Sequence, residues 1–323
     1  MLELAEPRLP LTIVTGFLGS GKTTLVNHIL ANRPGRRIAV LVNEFGDIAI
    51  DGDLIAGAAG DTVELANGCV CCSINNDLID AVFRVLQRRP PVDDLIVETT
   101  GVADPLPVAL TFLRPELRGA VRLDGIVAVA DAENFSLDRF AGTAALNQLR
   151  YADFVLLNKC DLAAPDRVDF VETVIRNHAV GVRVLRVTRA RAALPLILGG
   201  GPVRDALAAT KAGHRHITED GFAAVSFASD GAFSAEAFQA FLEQLPANVF
   251  RAKGILTIDG SHRRQLFHLV GRRFTLDEAP ADFTGPSRLV LIGVNLEATG
   301  LRAQLAACLV PRAGQTSPNP ALE

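Results

Sequence analysis

Apolar residues in the first 200 positions follow two alternating patterns. Short runs that are apolar throughout predict buried β-strands, and segments whose apolar residues recur every three or four positions predict helices. The predicted strands lie at 11–15, 38–43, 62–66, 94–99, 124–130, 154–158 and 182–187, and the predicted helices at 22–32, 74–89, 105–113, 134–150 and 166–177. This alternation is typical of an α/β fold, in which a mainly parallel sheet is covered by helices on both faces. In such a fold, ligands bind at the carboxyl ends of the strands.

A change of pattern after about residue 199 indicates a second domain. Gly199-Gly200-Gly201-Pro202 and a polar stretch at 210–220 interrupt the alternation. Beyond them we predict strands at 222–227, 249–258, 263–270 and 287–294, and helices at 234–245 and 299–309. The predicted organisation is therefore a first domain at 1–210, a linker at 211–220, a smaller α+β domain at 221–310 and a frayed tail at 311–323.

Composition narrows the class of protein. Of the 323 residues, 49% are hydrophobic, the net charge is −4 and the pI is about 5.9. A chain of this kind builds packed globular domains and offers no broad basic field to nucleic acid. The N-terminus lacks the basic and apolar regions of a signal peptide, and no apolar run approaches the roughly 20 residues of a membrane helix. We therefore expect a cytoplasmic protein without membrane or nucleic-acid partners.

A glycine-rich motif follows the first predicted strand. Residues 16–24 read Gly-Phe-Leu-Gly-Ser-Gly-Lys-Thr-Thr and match the phosphate-binding pattern G-x-x-x-x-G-K-[ST]. In this pattern backbone N–H groups surround the phosphates, the lysine reaches the β- and γ-phosphates and the first threonine binds Mg²⁺. A glycine-rich turn with a stray lysine is the bland alternative. The motif predicts a P-loop NTPase, with nucleotide ligands Gly16, Gly19, Ser20, Gly21, Lys22, Thr23 and Thr24.

A second motif predicts which base is bound. The run 154–157 is followed by Asn158-Lys159-Cys160-Asp161. A carboxylate at Asp161 can accept from guanine N1–H and its 2-amino group, whereas adenine offers neither donor. Asn158 would bond the opposite edge of the base, and the Lys159 stem could pack over its face. The tetrapeptide alone is common, but after a strand and downstream of a phosphate loop it predicts GTP.

A third motif lies between these two. Residues 94–101 form an apolar run that ends in Glu98, with Gly101 three residues later. In P-loop NTPases such an acid helps to hold Mg²⁺, and such a glycine N–H can meet the γ-phosphate. No glutamine follows Gly101, so we predict slow intrinsic hydrolysis.

Three of the five cysteines fall within Gly68-Cys69-Val70-Cys71-Cys72. Cys69, Cys71 and Cys72 follow an Asn-Gly turn, and three thiolates on such a loop suit Zn²⁺, Cu⁺ or Co²⁺. They also leave a coordination position open, which suits a site that releases its metal. A chance cluster of buried thiols remains the alternative, since free cysteine is often buried.

Together these motifs resemble the CobW-type metal-chaperone GTPases of the SIMIBI class of P-loop NTPases. The matching residues are Thr15–Thr24, Asn43–Gly46, Asn67–Cys72, Glu98–Gly101 with Ala103–Pro105, Gln148 with Ala152–Asp153, and Asn158–Asp161, followed by Lys253–Gly254 and Leu291–Gly293 in the second domain.

The resemblance implies GTP-dependent metal delivery to a client metalloprotein or metal-inserting enzyme, with the Cys-x-Cys-Cys motif as the metal site. It also implies Glu44 as a further metal ligand and Asp51 as a residue that binds Mg²⁺ or orients water. Two features depart from the family pattern: residues 47–51 lack a glycine near 49, and only His214 and His216 represent the histidine-rich tract that many relatives carry between domains.

The leading hypothesis is a GTPase in which Lys22, Glu98 and Asp51 serve catalysis, with GTP and Mg²⁺ as cofactors. Its metal, Zn²⁺ first and Co²⁺ as the alternative, would bind at Cys69, Cys71 and Cys72. The sequence leaves open whether the protein forms a homodimer. Two other classes compete with this hypothesis. A P-loop kinase for a small molecule would carry an arginine-rich lid and no guanine motif, and a redox sensor would oxidise Cys71 and Cys72 to signal to a partner.

Overall fold

The structure is a computed structural model, and it describes residues 8–32, 35–43, 62–65, 74–136, 143–199, 222–279 and 284–311. The chain divides into two compact units, one built on a seven-stranded sheet and the other on a five-stranded sheet. The predicted linker at 211–220 and almost all of the predicted tail lie outside the described residues, so these boundaries stay predictions.

The first sheet is parallel throughout and has the order β3-β2-β4-β1-β5-β6-β7. Its strands are β1 (Leu9–Gly16), β2 (Ile38–Asn43), β3 (Thr62–Leu65), β4 (Asp94–Glu98), β5 (Val121–Asp131), β6 (Phe154–Asn158) and β7 (Arg183–Arg186). Strands β2, β3 and β4 lie on one side of β1, and β5, β6 and β7 lie on the other. The carboxyl ends of β4, β1, β5 and β6 therefore lie side by side around the point where the strand order reverses.

The helices of this unit are α1 (Lys22–Ala31), α2 (Ile74–Leu86), α3 (Pro105–Phe112), α4 (Pro115–Arg118), α5 (Thr143–Arg150), α6 (Pro165–His178) and α7 (Leu194–Ile197). Side chains alternate between the two faces of a strand. Leu11 and Ile13 pack in one buried cluster with residues of α2 and α3, while the Thr12 hydroxyl donates to Ile197 O of α7 at 3.3 Å. Helices thus cover both faces, which confirms the predicted α/β class.

The second unit is a smaller α+β domain, as predicted. Its sheet has the order β11-β10-β9-β12-β8, in which β12 pairs antiparallel with both β8 and β9. Its elements are β8 (Phe222–Ser229), α8 (Ala235–Glu243), β9 (Val249–Leu256), β10 (Gln265–Val270), β11 (Arg273–Glu278), β12 (Ser287–Val294) and α9 (Ala298–Ala307). Phe238 of α8 packs edge-to-face on Phe233 and Phe267, with ring centroids 5.3 and 5.2 Å apart.

One predicted helix starts at the wrong residue. We expected a helix over 134–150, but α5 begins at Thr143, and residues 132–134 form a turn. The cause lies in Asp131, whose carboxylate accepts hydrogen bonds from the backbone N–H groups of Glu133 and Asn134 at 2.9 and 3.0 Å. Such a local acceptor offers the backbone an alternative to helix.

Candidate nucleotide-binding site

The glycine-rich motif forms a loop between β1 and α1, and two of its glycines are required by space and by backbone conformation. Gly16 has φ +136°, and a Cβ there would overlap Val129 O of β5. Gly21, at the N-terminus of α1, has φ +108°, and a Cβ there would lie 2.5 Å from Asn158 Nδ2. Neither position tolerates a side chain.

Lys22 and Thr23 open α1 at the carboxyl end of the central strand. The Lys22 side chain is 7% exposed, and its ammonium donates to Phe17 O at 3.2 Å within the same loop. The Thr23 hydroxyl donates to Glu98 Oε1 of β4 at 3.0 Å. Because β4 and β1 are neighbours in the sheet, two residues 75 positions apart in the sequence meet here.

Ser20 and Thr24, two further predicted ligands, differ in their exposure. Ser20 is fully buried, and within the described part of the chain its hydroxyl has no hydrogen-bond partner. Thr24 is exposed on α1. Gly19 has φ +73° and open space around a hypothetical Cβ, so conformation rather than space favours glycine there.

The segment after β4 packs directly on the phosphate loop. A Cβ on Gly101 would lie 2.6 Å from Leu18 N, so only glycine fits against this backbone. One residue pair anchors the start of the segment, since the Thr99 hydroxyl donates to the Thr15 hydroxyl at 2.9 Å and both side chains are buried. Gly101 therefore lies beside the loop at which the motif places the phosphates.

Asn158, at the end of β6, joins two loops. Its Nδ2 donates to Ser20 O of the phosphate loop at 2.9 Å, and its Oδ1 accepts from Ala190 N at 2.7 Å. The side chain is 2% exposed. The predicted bond from Asn158 to the base edge stays a prediction, and the structure adds a role in positioning the protein's own loops.

Lys159 and Asp161 follow on the same loop. Lys159 adopts φ +61°, and its ammonium pairs with Asp131 Oδ2 of β5 at 2.6 Å. Burial would raise the pKa of the Asp131 carboxyl, but hydrogen bonds from Lys159 and Asn134, with the lysine charge, outweigh it and lower the pKa. Asp161 is exposed, so its carboxylate is open to a base that approaches this loop.

A loop that the sequence did not single out completes this region. Arg189 and Ala190, which follow β7, both adopt φ +52°. Two consecutive non-glycine residues in this conformation are costly and cluster at functional sites. Ala190 is held by Asn158, and His28 Nε2 of α1 lies 3.0 Å from Ala192 O. No sequence signal could have identified these residues, since alanine has no preference for a positive φ.

The predicted transition-metal ligands Cys69, Cys71, Cys72 and Glu44 and the predicted catalytic Asp51 lie outside the described residues. The two described cysteines, the half-buried Cys160 and the buried Cys308, are engaged with the protein backbone. The Cys160 and Cys308 thiols donate to the backbone at Leu157 O and Gln304 O, 3.1 and 3.2 Å away, and burial raises the pKa of each.

Across the described ranges no three His, Cys, Asp or Glu residues group together as candidate ligands of one metal ion. Over the same ranges, no helix is both long and apolar enough to cross a membrane.

The parallel sheet and the phosphate loop at its central strand define the class of P-loop NTPases. A family model described as the CobW/HypB/UreG nucleotide-binding domain matches residues 10–186, and a model of the cobalamin synthesis protein cobW C-terminal domain matches residues 222–309. The first match alone spans more than half of the 323 residues. The chain belongs to the CobW/HypB/UreG family.

Individual relatives agree with this assignment. A zinc chaperone CobW from Pseudomonas aeruginosa is 32% identical over 346 residues, which cover 94% of this chain and 92% of that protein. A zinc chaperone YjiA from Escherichia coli is 34% identical over 313 residues, 92% of this chain and 98% of that protein. A zinc-regulated GTPase metalloprotein activator 1 from Schizosaccharomyces pombe is 37% identical over 191 residues, 57% of this chain and 46% of that protein.

Proposed function

We propose that this protein is a GTPase that binds a transition metal and delivers it to a client protein. Zinc is the first candidate for the metal, because relatives that match nearly the whole chain are named zinc chaperones and another is named a zinc-regulated GTPase metalloprotein activator. The proposal divides into a nucleotide site, a metal site and a link between them.

The pair formed by Thr23 and Glu98 carries the first part of the proposal. A hydroxyl and a carboxylate oxygen 3.0 Å apart, at the start of α1 and the end of β4, are hard oxygen donors of the kind that Mg²⁺ prefers. They fit a site in which Mg²⁺ also binds the nucleotide phosphates. Bound there, Mg²⁺ would supply a Lewis acid that neutralises charge on the β- and γ-phosphates.

The phosphates themselves are bound by the loop 16–24. Its backbone N–H groups and the N-terminus of α1 provide positive potential, and Lys22 exchanges its contact with Phe17 O for phosphate oxygens. Hydrolysis then transfers the γ-phosphoryl group to water, and GDP keeps the bridging oxygen. Since no glutamine follows Gly101, we expect turnover well below about one per second without a partner.

Guanine selectivity is assigned to Asp161, with the Lys159 stem over the base. The contact between Asn158 and Ser20 O supports this assignment, because it joins the base-binding motif directly to the phosphate loop. Base and phosphates would therefore be bound by one connected set of loops.

The metal is cargo, and we assign it to Cys69, Cys71 and Cys72, with Glu44 as a further ligand and Co²⁺ as the alternative to Zn²⁺. These residues lie between β2 and α2, in the interval where GTPases carry the segment that orders around the γ-phosphate. Asp51 in the same interval is the candidate for orienting water. Binding and hydrolysis of GTP would then reshape the metal site and promote transfer to the client.

The metal site is tested by zinc titration of the reduced protein in competition with a chelator. Cys71→Ala and Cys72→Ala should each lose tight binding while keeping GTP affinity, since neither residue belongs to a nucleotide motif. Cys308→Ala is the matched control, because this buried thiol lies in the core of the second unit, where it donates to the backbone oxygens of Ala237 and Gln304. Wild-type zinc affinity in both test variants would contradict the assignment.

A further inference from the structure

A buried amide side chain of α5 holds the segment between β4 and α3. Gln148 of α5 is 1% exposed, and its Nε2 donates to Gly101 O at 3.2 Å and to Ala103 O at 2.9 Å. Both donors of one side chain are thus used on backbone carbonyls two residues apart, 47 and 45 positions away in the sequence.

The neighbouring residue of α5 holds the other end of the same segment. Asn147 Nδ2 donates to Asp104 Oδ2 at 2.6 Å, while Asp104 Oδ1 accepts from Leu106 N and caps α3. Two adjacent side chains of α5 therefore fix the segment from Gly101 to the first turn of α3.

Gly101 also packs against the phosphate loop. With Leu18 N 2.6 Å from a hypothetical Cβ, Gly101 contacts both that loop and Gln148. Any change in the position of Gly101 must alter one of these two contacts. The position of its N–H, which the motif assigns to the γ-phosphate, thus depends on Gln148.

Packing alone does not account for an amide at this position. Gln148 Oε1 is buried, and among the described residues it has no hydrogen-bond partner. An unpaired buried acceptor is costly, and such costs are found where function requires them. An apolar residue of the same length would avoid this cost, but it would remove the donor that Gln148 supplies to Gly101 O and Ala103 O.

We propose that Gln148 is a positioning residue of the GTPase, which holds Gly101 against the phosphate loop so that the site distinguishes GTP from GDP. The proposal rests on the proposed nucleotide site. Only GTP has a γ-phosphate for Gly101 to meet, so loosening this segment weakens GTP binding and leaves GDP binding nearly unchanged.

The test is Gln148→Met, which keeps the length and removes both donors. Binding of a non-hydrolysable GTP analogue with Mg²⁺ should weaken about tenfold, while GDP affinity changes less than about threefold. The value of kcat should fall by a similar factor to the analogue affinity. A purely structural role would lower both affinities together.

Asn248→Leu is the matched control. Asn248 Nδ2 likewise donates to two backbone carbonyls, Val294 O and Asn295 O at 2.9 and 3.0 Å, but in the second unit. This variant loses the same number of hydrogen bonds, at a more exposed position, and should keep the wild-type ratio of GTP-analogue to GDP affinity.

If Gln148→Met had the same ratio of GTP-analogue to GDP affinity as the wild type, the proposal would be overturned. If Gln148→Met does not fold, Gln148→Asn, whose shorter amide cannot reach both carbonyls, replaces it with the same expectations. Failure of both variants to fold would establish a structural role and also overturn the proposal. A wild-type protein that binds neither nucleotide would instead refute the proposed function, so the two failures are distinguishable.

Discussion

Asn158→Ala should destabilise the first unit and weaken GTP and GDP binding together. The substitution removes the donor to Ser20 O and the acceptor of Ala190 N, both at buried positions. A buried polar group without its partner costs about 1–3 kcal/mol, so two give about 2–6 kcal/mol. Because the loops can relax toward solvent, we expect the lower half of this range, about 3 kcal/mol.

Relaxation of the loops also predicts the effect on ligands. Ala190 holds φ +52° with Asn158 as the partner of its N–H, and without this bond the loop can leave its strained conformation. Both nucleotides share the base and the β-phosphate, so both affinities should fall by at least about tenfold.

The chain contains no tryptophan, so unfolding is best followed by calorimetry, and affinities with a fluorescent nucleotide. Asn158→Asp keeps the acceptor for Ala190 N but places a carboxylate against Ser20 O, so it should be no better than alanine. Gln239→Ala removes an exposed bond to Glu243 and should change stability by less than about 0.5 kcal/mol. A loss of stability below about 0.5 kcal/mol in Asn158→Ala would refute the reasoning.

Three further predictions concern the nucleotide site. Lys22→Ala should abolish tight GTP binding and turnover, because it removes the ammonium of the phosphate loop; hydrolysis that survives rigorous purification would place the activity elsewhere. Asp161→Asn should weaken GTP and admit xanthosine triphosphate, since it exchanges an acceptor for a donor facing guanine N1–H; unchanged GTP affinity would remove the guanine assignment. The pKa of Asp131 is lowered in the folded state, so its ion pair with Lys159 should stabilise the protein above the carboxyl's ordinary value of 3.8 and be lost as pH falls through the lowered value. We therefore expect the stabilities of wild type and Asp131→Asn to coincide at pH values below the lowered pKa of Asp131 and to differ above pH 3.8. Equal stabilities at neutral pH would contradict a stabilising ion pair.

The parts of the fold that could be predicted are those with strong periodicity. The seven strands of the parallel sheet were all predicted within a few residues. The signal is clearest for strands such as β4 and β6, which are buried along their whole length and read as mainly apolar runs. β11 was missed because most of its residues are exposed and it carries little apolar pattern. The short helices α4 and α7 have four residues each, too few for a helical period to be visible.

The candidate site divides in a similar way. The positions at which the backbone requires glycine, such as Gly16, Gly21 and Gly101, could be predicted from the motifs. The links made by Asn158 and Gln148 could not, because each joins residues more than 30 positions apart and depends on strand order. The positive φ of Ala190 likewise arises from tertiary contacts and has no local signal.

The central claim is that the nucleotide state controls the affinity for the metal. It is tested most directly by the zinc affinity of the reduced protein, measured by chelator competition with Mg²⁺ and either a GTP analogue or GDP. We predict tighter binding with the GTP analogue by roughly 1–3 kcal/mol, the ordinary size of coupling between two sites. Zinc affinities that are equal in the two nucleotide states would contradict the account.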